Sequence, residues 1–134
     1  MHISNELALQ RGVKTRIMST LNLTLLTDLY ELTMMQGYFK TQNREVVVFD
    51  AFYRNNPSGG GYAICAGLDQ VINYVKNLHF DQDDIAYLRS LGIFDDDFLE
   101  YLSGFRFSGD IYAIPEGTVI FPREPLVKVV APIM

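Results

Sequence analysis

The feature that most constrains the fold is a change in sequence pattern at Gly109. Before this residue, four segments carry apolar side chains at helical spacing, approximately residues 27–40, 62–78, 81–91 and 95–102, and one β-branched strand is predicted at 46–53. After it come three short β-like runs, 111–114, 118–121 and 126–130, which are separated by proline-containing turns. Runs of helices followed by runs of strands predict an α+β fold, because a doubly wound sheet would alternate the two.

Composition and charge limit the classes of protein to which this chain can belong. At 134 residues the chain is long enough for one packed domain, and its net charge of -5 comes without any basic cluster. We therefore expect no nucleic-acid or membrane-surface partner. No apolar run approaches the roughly 20 residues needed to span a bilayer. Cys65 is the only cysteine, which excludes an internal disulfide and favours a cytoplasmic location.

The segment from Thr27 to Lys40 is the most informative helix. Asp28 and Glu31 have the spacing of a capping box, and Leu26 stands where a hydrophobic staple would be. One apolar stripe is predicted to face a core, and a second lies about a quarter-turn away. A helix with two apolar stripes is either deeply buried or contacts something outside its own domain. The first stripe is Leu29, Leu32, Met35 and Phe39, and the second is Tyr30, Met34 and Tyr38.

Several apparent chemical motifs are better explained as structure. The run Gly59-Gly60-Gly61 has neither a Gly-Lys-Ser/Thr ending nor the third glycine of a dinucleotide fingerprint, so we interpret it as a flexible turn. The aspartates at 81–84 and 95–97 are interpreted as helix caps because consecutive side chains radiate from a helix start. We predict no metal site, and no catalytic residue can be assigned from the sequence.

Three motifs, in order along the chain, resemble the nicotinate phosphoribosyltransferase family. They are LLTDLYELTMMQGYF at 25–39, FDAFYRNNPSGGGY at 49–62 and IPEGTV at 114–119. The resemblance implies the N-terminal α+β domain of such an enzyme, with helices and a mostly antiparallel sheet as in nicotinate and quinolinate phosphoribosyltransferases. It implies a leader at 1–22 that is peripheral or poorly ordered, followed by the domain at 23–134. The apolar end at Met134 is interpreted as a cut before the family's barrel domain.

The resemblance also implies an activity for the complete enzyme. Members of the family form nicotinate mononucleotide and pyrophosphate from nicotinate and 5-phosphoribosyl 1-pyrophosphate, in the salvage route to NAD. Hydrolysis of ATP is coupled through a phosphorylated histidine, and Mg²⁺ accompanies the sugar pyrophosphate. Neither His2 nor His79 stands in a matching context. We therefore expect this part of the chain to bind none of these cofactors and to be inactive alone. The resemblance further implies that the complete enzyme is a homodimer.

Tyr30 is the first candidate substrate-binding residue. From its sequence context alone, a tyrosine on an apolar helix is a core or interface residue. In the family, the tyrosine of the TDLY element lies against the pyridine ring of nicotinate, commonly in the active site of the neighbouring subunit. The resemblance therefore implies that Tyr30 stacks on nicotinate, which would also give the second apolar stripe a subunit-contacting role.

Arg54 is the second candidate, in a segment that resembles the family's FFR-x-x-P element. An arginine at a strand end can clamp a phosphate or carboxylate bidentately, but Arg54 could equally pair with Asp50 or Asp28. Thr27 and Asp28 are interpreted as helix caps beside Tyr30.

Two alternatives to the nicotinate enzyme stay open. One is a relative that acts on quinolinate or nicotinamide, although TDLYELTM together with FYRNNP favours the nicotinate branch. The other is a non-catalytic dimerisation or binding module. A lipoyl-type module is disfavoured because the predicted hairpin tip is Glu116-Gly117, while Lys128 lies within a strand.

Overall fold

The computed structural model describes residues 22–134, and the predicted leader lies outside the described residues apart from Asn22. Four helices and five strands follow one another, and apart from the short strand Ala63–Ile64, which lies in a segment predicted as helix, their order is the one predicted for an α+β fold. They are α1 (Leu29–Thr41), β1 (Val46–Ala51), β2 (Ala63–Ile64), α2 (Leu68–Asn77), α3 (Gln82–Ser90), α4 (Asp96–Ser103), β3 (Asp110–Ala113), β4 (Val119–Ile120) and β5 (Val127–Pro132). A 3₁₀ turn at Pro57–Gly59 occupies the predicted glycine-rich loop.

The strands form two antiparallel sheets, which confirms the predicted fold class. The larger sheet has the order β1-β5-β3, so its central strand comes last in the sequence. Val46 pairs with Pro132 and Ala51 with Val127 on one side of β5, and Asp110 pairs with Val130 on the other. The smaller sheet is the two-residue pair β2-β4.

The buried core lies among the helices. Its centre is α4, where Phe98, Leu99 and Leu102 are almost completely excluded from solvent. Leu32 of α1 and Leu88 of α3 pack into the same cluster, because both helices present an apolar stripe to α4. The aromatic rings of Phe39 and Phe98 are 5.6 Å apart and tilted, a favourable geometry for an aromatic pair.

Polar side chains fix the helices and the N-terminal segment to one another. Gln36 of α1 donates to the carbonyl of Ile93 (3.2 Å) and accepts from the backbone N–H of Asp95 (2.7 Å), which ties α1 to the start of α4. The buried Thr24 donates its hydroxyl to the carbonyl of His79 at 2.7 Å. The side chain of Asn22 donates to Asp84 at 2.6 Å, so the segment before α1 is held against the start of α3.

The structure corrects two local predictions. The second helix begins at Leu68 instead of Tyr62, because Ala63 and Ile64 are taken into the β2-β4 pair. The capping box predicted at Asp28 does not form, since the Asp28 side chain accepts no capping hydrogen bond. A complete capping box occurs instead at α3, where the side chains of Asp81 and Asp84 each accept the other's backbone N–H.

The predicted core stripe of α1 is only partly confirmed. Leu32 is buried, and Met35 and Phe39 pack against the core, whereas Leu29 is half exposed. Leu29 and Tyr30, both in the first turn of α1, are 51% and 59% exposed.

No residue of the three-stranded sheet is buried. Val48 and Phe49 are 57% and 67% exposed although they point to opposite faces, because successive strand residues alternate. Tyr112 on β3 is 59% exposed as well. Both faces of this sheet therefore carry apolar side chains that the described residues do not cover. Within residues 22–134, no helix is long and apolar enough to cross a membrane.

Candidate functional site

Tyr30 lies in the first turn of α1 and points away from the helical core. Its side chain is 59% exposed, and Met34, one turn further along, is 49% exposed. Two hydrogen bonds hold the start of the helix: the Thr27 hydroxyl donates to the carboxylate of Glu31, and the Glu31 N–H donates to the Asp28 carbonyl at 3.0 Å. Tyr30 is thus an aromatic side chain on a well-defined helix with its ring open to a ligand or partner.

Arg54 lies in the loop after β1, at an open cleft of about 430 Å³. Four exposed residues line this cleft: Phe52, Arg54, Asn55 and Arg123. The two ion pairs among residues 22–134 are Lys40–Asp95 and Arg89–Asp96, so neither lining arginine is neutralised by a carboxylate there. The sequence-based pairing of Arg54 with Asp50 or Asp28 is therefore not formed.

Tyr53 holds the base of this cleft together. Its carbonyl accepts the backbone N–H of Arg123 at 2.8 Å, and its hydroxyl donates to the carbonyl of Ile120 at 3.0 Å. Desolvation and, to a smaller extent, the charge of Glu124 raise the pKa of the Tyr53 phenol. The two hydrogen bonds fix the loop that carries Arg54 to the turn that carries Arg123.

The Pro-Glu-Gly turn has a structural function that its motif did not indicate. One carboxylate oxygen of Glu116 accepts the backbone N–H groups of Gly67 (2.9 Å) and Asp69 (3.4 Å), so it caps the N-terminus of α2 from a distant part of the chain. These N–H donors lower the pKa of Glu116. Cys65, shortly before α2, is buried and accepts the N–H of Gly117 on its carbonyl.

Comparison with known proteins identifies the family. The family model described as the nicotinate phosphoribosyltransferase (NAPRTase) N-terminal domain matches residues 25–134, which include all five strands and all four helices. The chain belongs to the nicotinate phosphoribosyltransferase family.

The relatives in this family come from different organisms. The chain is 49% identical over 110 residues to the nicotinate phosphoribosyltransferase pncB2 of Mycobacterium tuberculosis, a match that covers 82% of the chain and 24% of that protein. It is 38% identical over 114 residues to the nicotinate phosphoribosyltransferase of Bacillus subtilis, with 84% and 23% covered. The chain spans about a quarter of the length of these curated relatives.

A solved structure supports the same assignment. The crystal structure of human nicotinic acid phosphoribosyltransferase matches with a TM-score of 0.69 and 33% identity, over 79% of this chain and 22% of that one. Fold and sequence therefore agree that the chain corresponds to the N-terminal domain of the nicotinate phosphoribosyltransferase family.

The family motifs lie at three separate places in the fold. Tyr30 is on α1 among the helices, Arg54 is beside the three-stranded sheet, and Glu116 is in the turn that caps α2. Tyr30 does not line the cleft of Arg54. The arginine that lines the cleft together with Arg54 is Arg123, which the sequence indicated only as part of a proline-containing turn. The separation of 69 residues between Arg54 and Arg123 explains why no local motif indicated their proximity.

Proposed function

We propose that this chain is the N-terminal part of an enzyme that makes nicotinate mononucleotide and pyrophosphate from nicotinate and 5-phosphoribosyl 1-pyrophosphate. The reaction is coupled to ATP hydrolysis and belongs to NAD salvage in the cytoplasm. The observation that carries the proposal is the 49% identity to the Mycobacterium tuberculosis enzyme, in a chain matched by the family's N-terminal domain model from residue 25 to residue 134.

Mg²⁺ and ATP belong to the complete enzyme in this proposal. Of the residues that the structure describes, no three or more His, Cys, Asp or Glu side chains come together as metal ligands would. We therefore derive no step through Mg²⁺. The contribution proposed for the described residues is to position substrates, which is a large part of catalysis when charge develops at a ribosyl carbon.

Tyr30 is proposed to stack on the pyridine ring of nicotinate in the active site of a second subunit. The proposal is supported by the exposure of the ring on a helix whose other face is well packed. Met34 beside it adds an adaptable apolar surface, so the pair suits contact with another subunit. In this proposal the enzyme is a homodimer, and the second copy covers the first turns of α1.

Arg54 is proposed to hold an anionic group of a substrate. Support comes from its position in an open cleft and from the absence, among residues 22–134, of a carboxylate within ion-pair distance. A guanidinium left without a protein partner presents its fork of donors to phosphate or carboxylate oxygens.

The three-stranded sheet is proposed to pack against the remaining part of the polypeptide. Relatives are about four times as long as the matched region, and both faces of the sheet expose apolar groups such as Val48 and Phe49. Without such packing, the exposed strand edges and apolar faces of the sheet would favour aggregation of the protein.

Turnover of the complete natural polypeptide tests this function. We expect formation of nicotinate mononucleotide and pyrophosphate, with nicotinate preferred to quinolinate and to nicotinamide. A preference for either of the other pyridines would reassign the protein to that branch. A native polypeptide of 15.3 kDa without turnover of any of them would favour a binding module instead.

Substitution of Tyr30 tests the proposed stacking. Aromatic contacts of this type contribute about 0.5–1.5 kcal/mol beyond the area that they bury, so Tyr30→Ala should raise KM for nicotinate at least about two- to twelvefold and leave KM for 5-phosphoribosyl 1-pyrophosphate nearly unchanged. Tyr30→Phe keeps the ring and should resemble the wild type. Tyr87→Ala removes another exposed tyrosine, on α3, and serves as the matched control. Unchanged kinetics in Tyr30→Ala would remove Tyr30 from the site.

A further inference from the structure

We propose that Arg123 is a second substrate-binding residue, which together with Arg54 forms a two-guanidinium site for a phosphate group carrying at least two negative charges. The inference takes its ligand class from the proposed function, in which 5-phosphoribosyl 1-pyrophosphate is consumed and pyrophosphate is released. It assigns a role to a residue outside the three family motifs quoted above.

The backbone of Arg123 is in a conformation that disfavours arginine. Its φ is +70°, in the left-handed region where a Cβ atom is crowded. Pro122 precedes it, and the N–H of Glu124 donates to the carbonyl of Phe121 at 3.4 Å. These are features of a type II turn, in which the third position normally holds glycine or asparagine. An arginine at a turn position that normally holds glycine indicates a function for its side chain.

The turn is fixed relative to Arg54. The N–H of Arg123 donates to the carbonyl of Tyr53, the residue directly before Arg54, at 2.8 Å. The Glu124 carboxylate accepts the N–H of Phe121 at 2.9 Å and is therefore engaged within its own turn. Both arginines line one cleft, and neither forms an ion pair with a described carboxylate.

Charge identifies the class of ligand. Two guanidinium groups at one cleft repel each other, and one carboxylate neutralises only half of their charge. A pyrophosphate group carries at least two negative charges near neutral pH and offers enough oxygens for a bidentate contact with each arginine. Asn55 adds an amide donor, and Phe52 forms an apolar wall. The cleft of about 430 Å³ has the volume of a small-ligand site.

The test uses the complete natural polypeptide and compares Arg123→Gly, Arg123→Lys and the control Arg44→Ala. Arg44 is an exposed arginine just before β1 and does not line the cleft. Calorimetric titration with inorganic pyrophosphate gives Kd, steady-state kinetics give KM for each substrate, and thermal unfolding gives Tm.

We expect Arg123→Gly to weaken pyrophosphate binding about tenfold or more, since bonds to charged groups are the strong ones. KM for 5-phosphoribosyl 1-pyrophosphate should rise in parallel while KM for nicotinate changes less than about twofold. Tm should stay the same or rise, because glycine relieves the left-handed strain. The pyrophosphate affinity of Arg123→Lys should be intermediate, since lysine keeps the positive charge but lacks the forked hydrogen-bond donors of a guanidinium group. Arg44→Ala should behave as the wild type.

Two results would overturn the inference: wild-type pyrophosphate affinity in Arg123→Gly, or a fall in Tm that accompanies the loss of binding and marks a structural role. Its failure is distinguishable from failure of the proposed function. An active wild-type enzyme with unaffected Arg123 variants refutes only the inference. A wild-type protein that binds pyrophosphate through Arg123 but turns over no pyridine refutes only the function.

Discussion

Substitution of Phe98 by alanine would test whether the helical cluster holds this domain together. Phe98 is completely buried, and its ring lies 5.6 Å from that of Phe39, 5.9 Å from Phe94 and 6.4 Å from Tyr101. Removing the ring loses its burial, its aromatic contacts and the packing of the surrounding side chains around a new cavity.

The expected loss in the free energy of unfolding is about 3–5 kcal/mol for Phe98→Ala. Domains of this size have a total stability of about 5–15 kcal/mol, and this one has no buried residue in its larger sheet. The loss is therefore a large part of the total. With an m-value of about 2 kcal/mol per molar urea, the unfolding midpoint should fall by about 2 M.

The assay is urea unfolding of the 134-residue chain, followed by circular dichroism at the helix signal. Phe98→Leu should lose less than Phe98→Ala because most of the apolar volume stays. Tyr87→Ala is the control: Tyr87 is 57% exposed on α3, and its replacement should change stability by less than about 0.5 kcal/mol. A loss below about 1 kcal/mol for Phe98→Ala would refute the assignment of the core to this cluster.

Two further predictions concern the connections between elements. Glu116→Gln should lower Tm at pH 7. Because the folded-state pKa of Glu116 is lowered, its contribution is complete above the unfolded pKa of about 4.3 and is lost as pH falls through the lower folded-state value, so the difference in Tm from the wild type should shrink in acid. An equal difference at pH 3 and pH 7 would contradict this. Gly109→Ala should destabilise the fold by about 1–3 kcal/mol, since an added Cβ would lie 2.6 Å from the Ala131 Cβ and 2.8 Å from the Val130 carbonyl oxygen. Gly37→Ala, which meets no atom within 4 Å, is the matched control, and equal stability of the two variants would contradict the clash.

Secondary structure was predicted well wherever a segment carried a regular apolar period. The α3 and α4 segments were found because aspartates begin them and apolar residues follow at helical spacing. The prediction failed at Ala63-Ile64, since two apolar residues are compatible with a helix and become a strand only when β4 pairs with them. It failed at Asp28 because a capping motif in the sequence does not decide which side chain reaches which N–H.

The residues of the candidate site likewise fall into two groups: those that a sequence motif indicated and those that only the tertiary structure revealed. Tyr30 and Arg54 were selected through motifs, which are local in sequence, and their roles as substrate contacts stay predictions. Arg123 could not be selected, because its hydrogen bond to Tyr53 forms only when the segments that follow β1 and β4 have been brought together. The helix-capping role of Glu116 has the same origin, since 49 residues separate it from Gly67.

The sequence by itself determined the α+β class, the family and the order of the elements other than β2, because periodicity, turn residues and contiguous motifs are properties of neighbouring residues. Only the tertiary structure decided which surfaces are buried and which long-range pairs form. The physical reason is that burial and hydrogen bonding between distant segments depend on chain closure, as in the placement of the last strand, β5, at the centre of its sheet. That closure leaves the apolar faces of the sheet uncovered and brings two arginines, 69 residues apart, to one cleft.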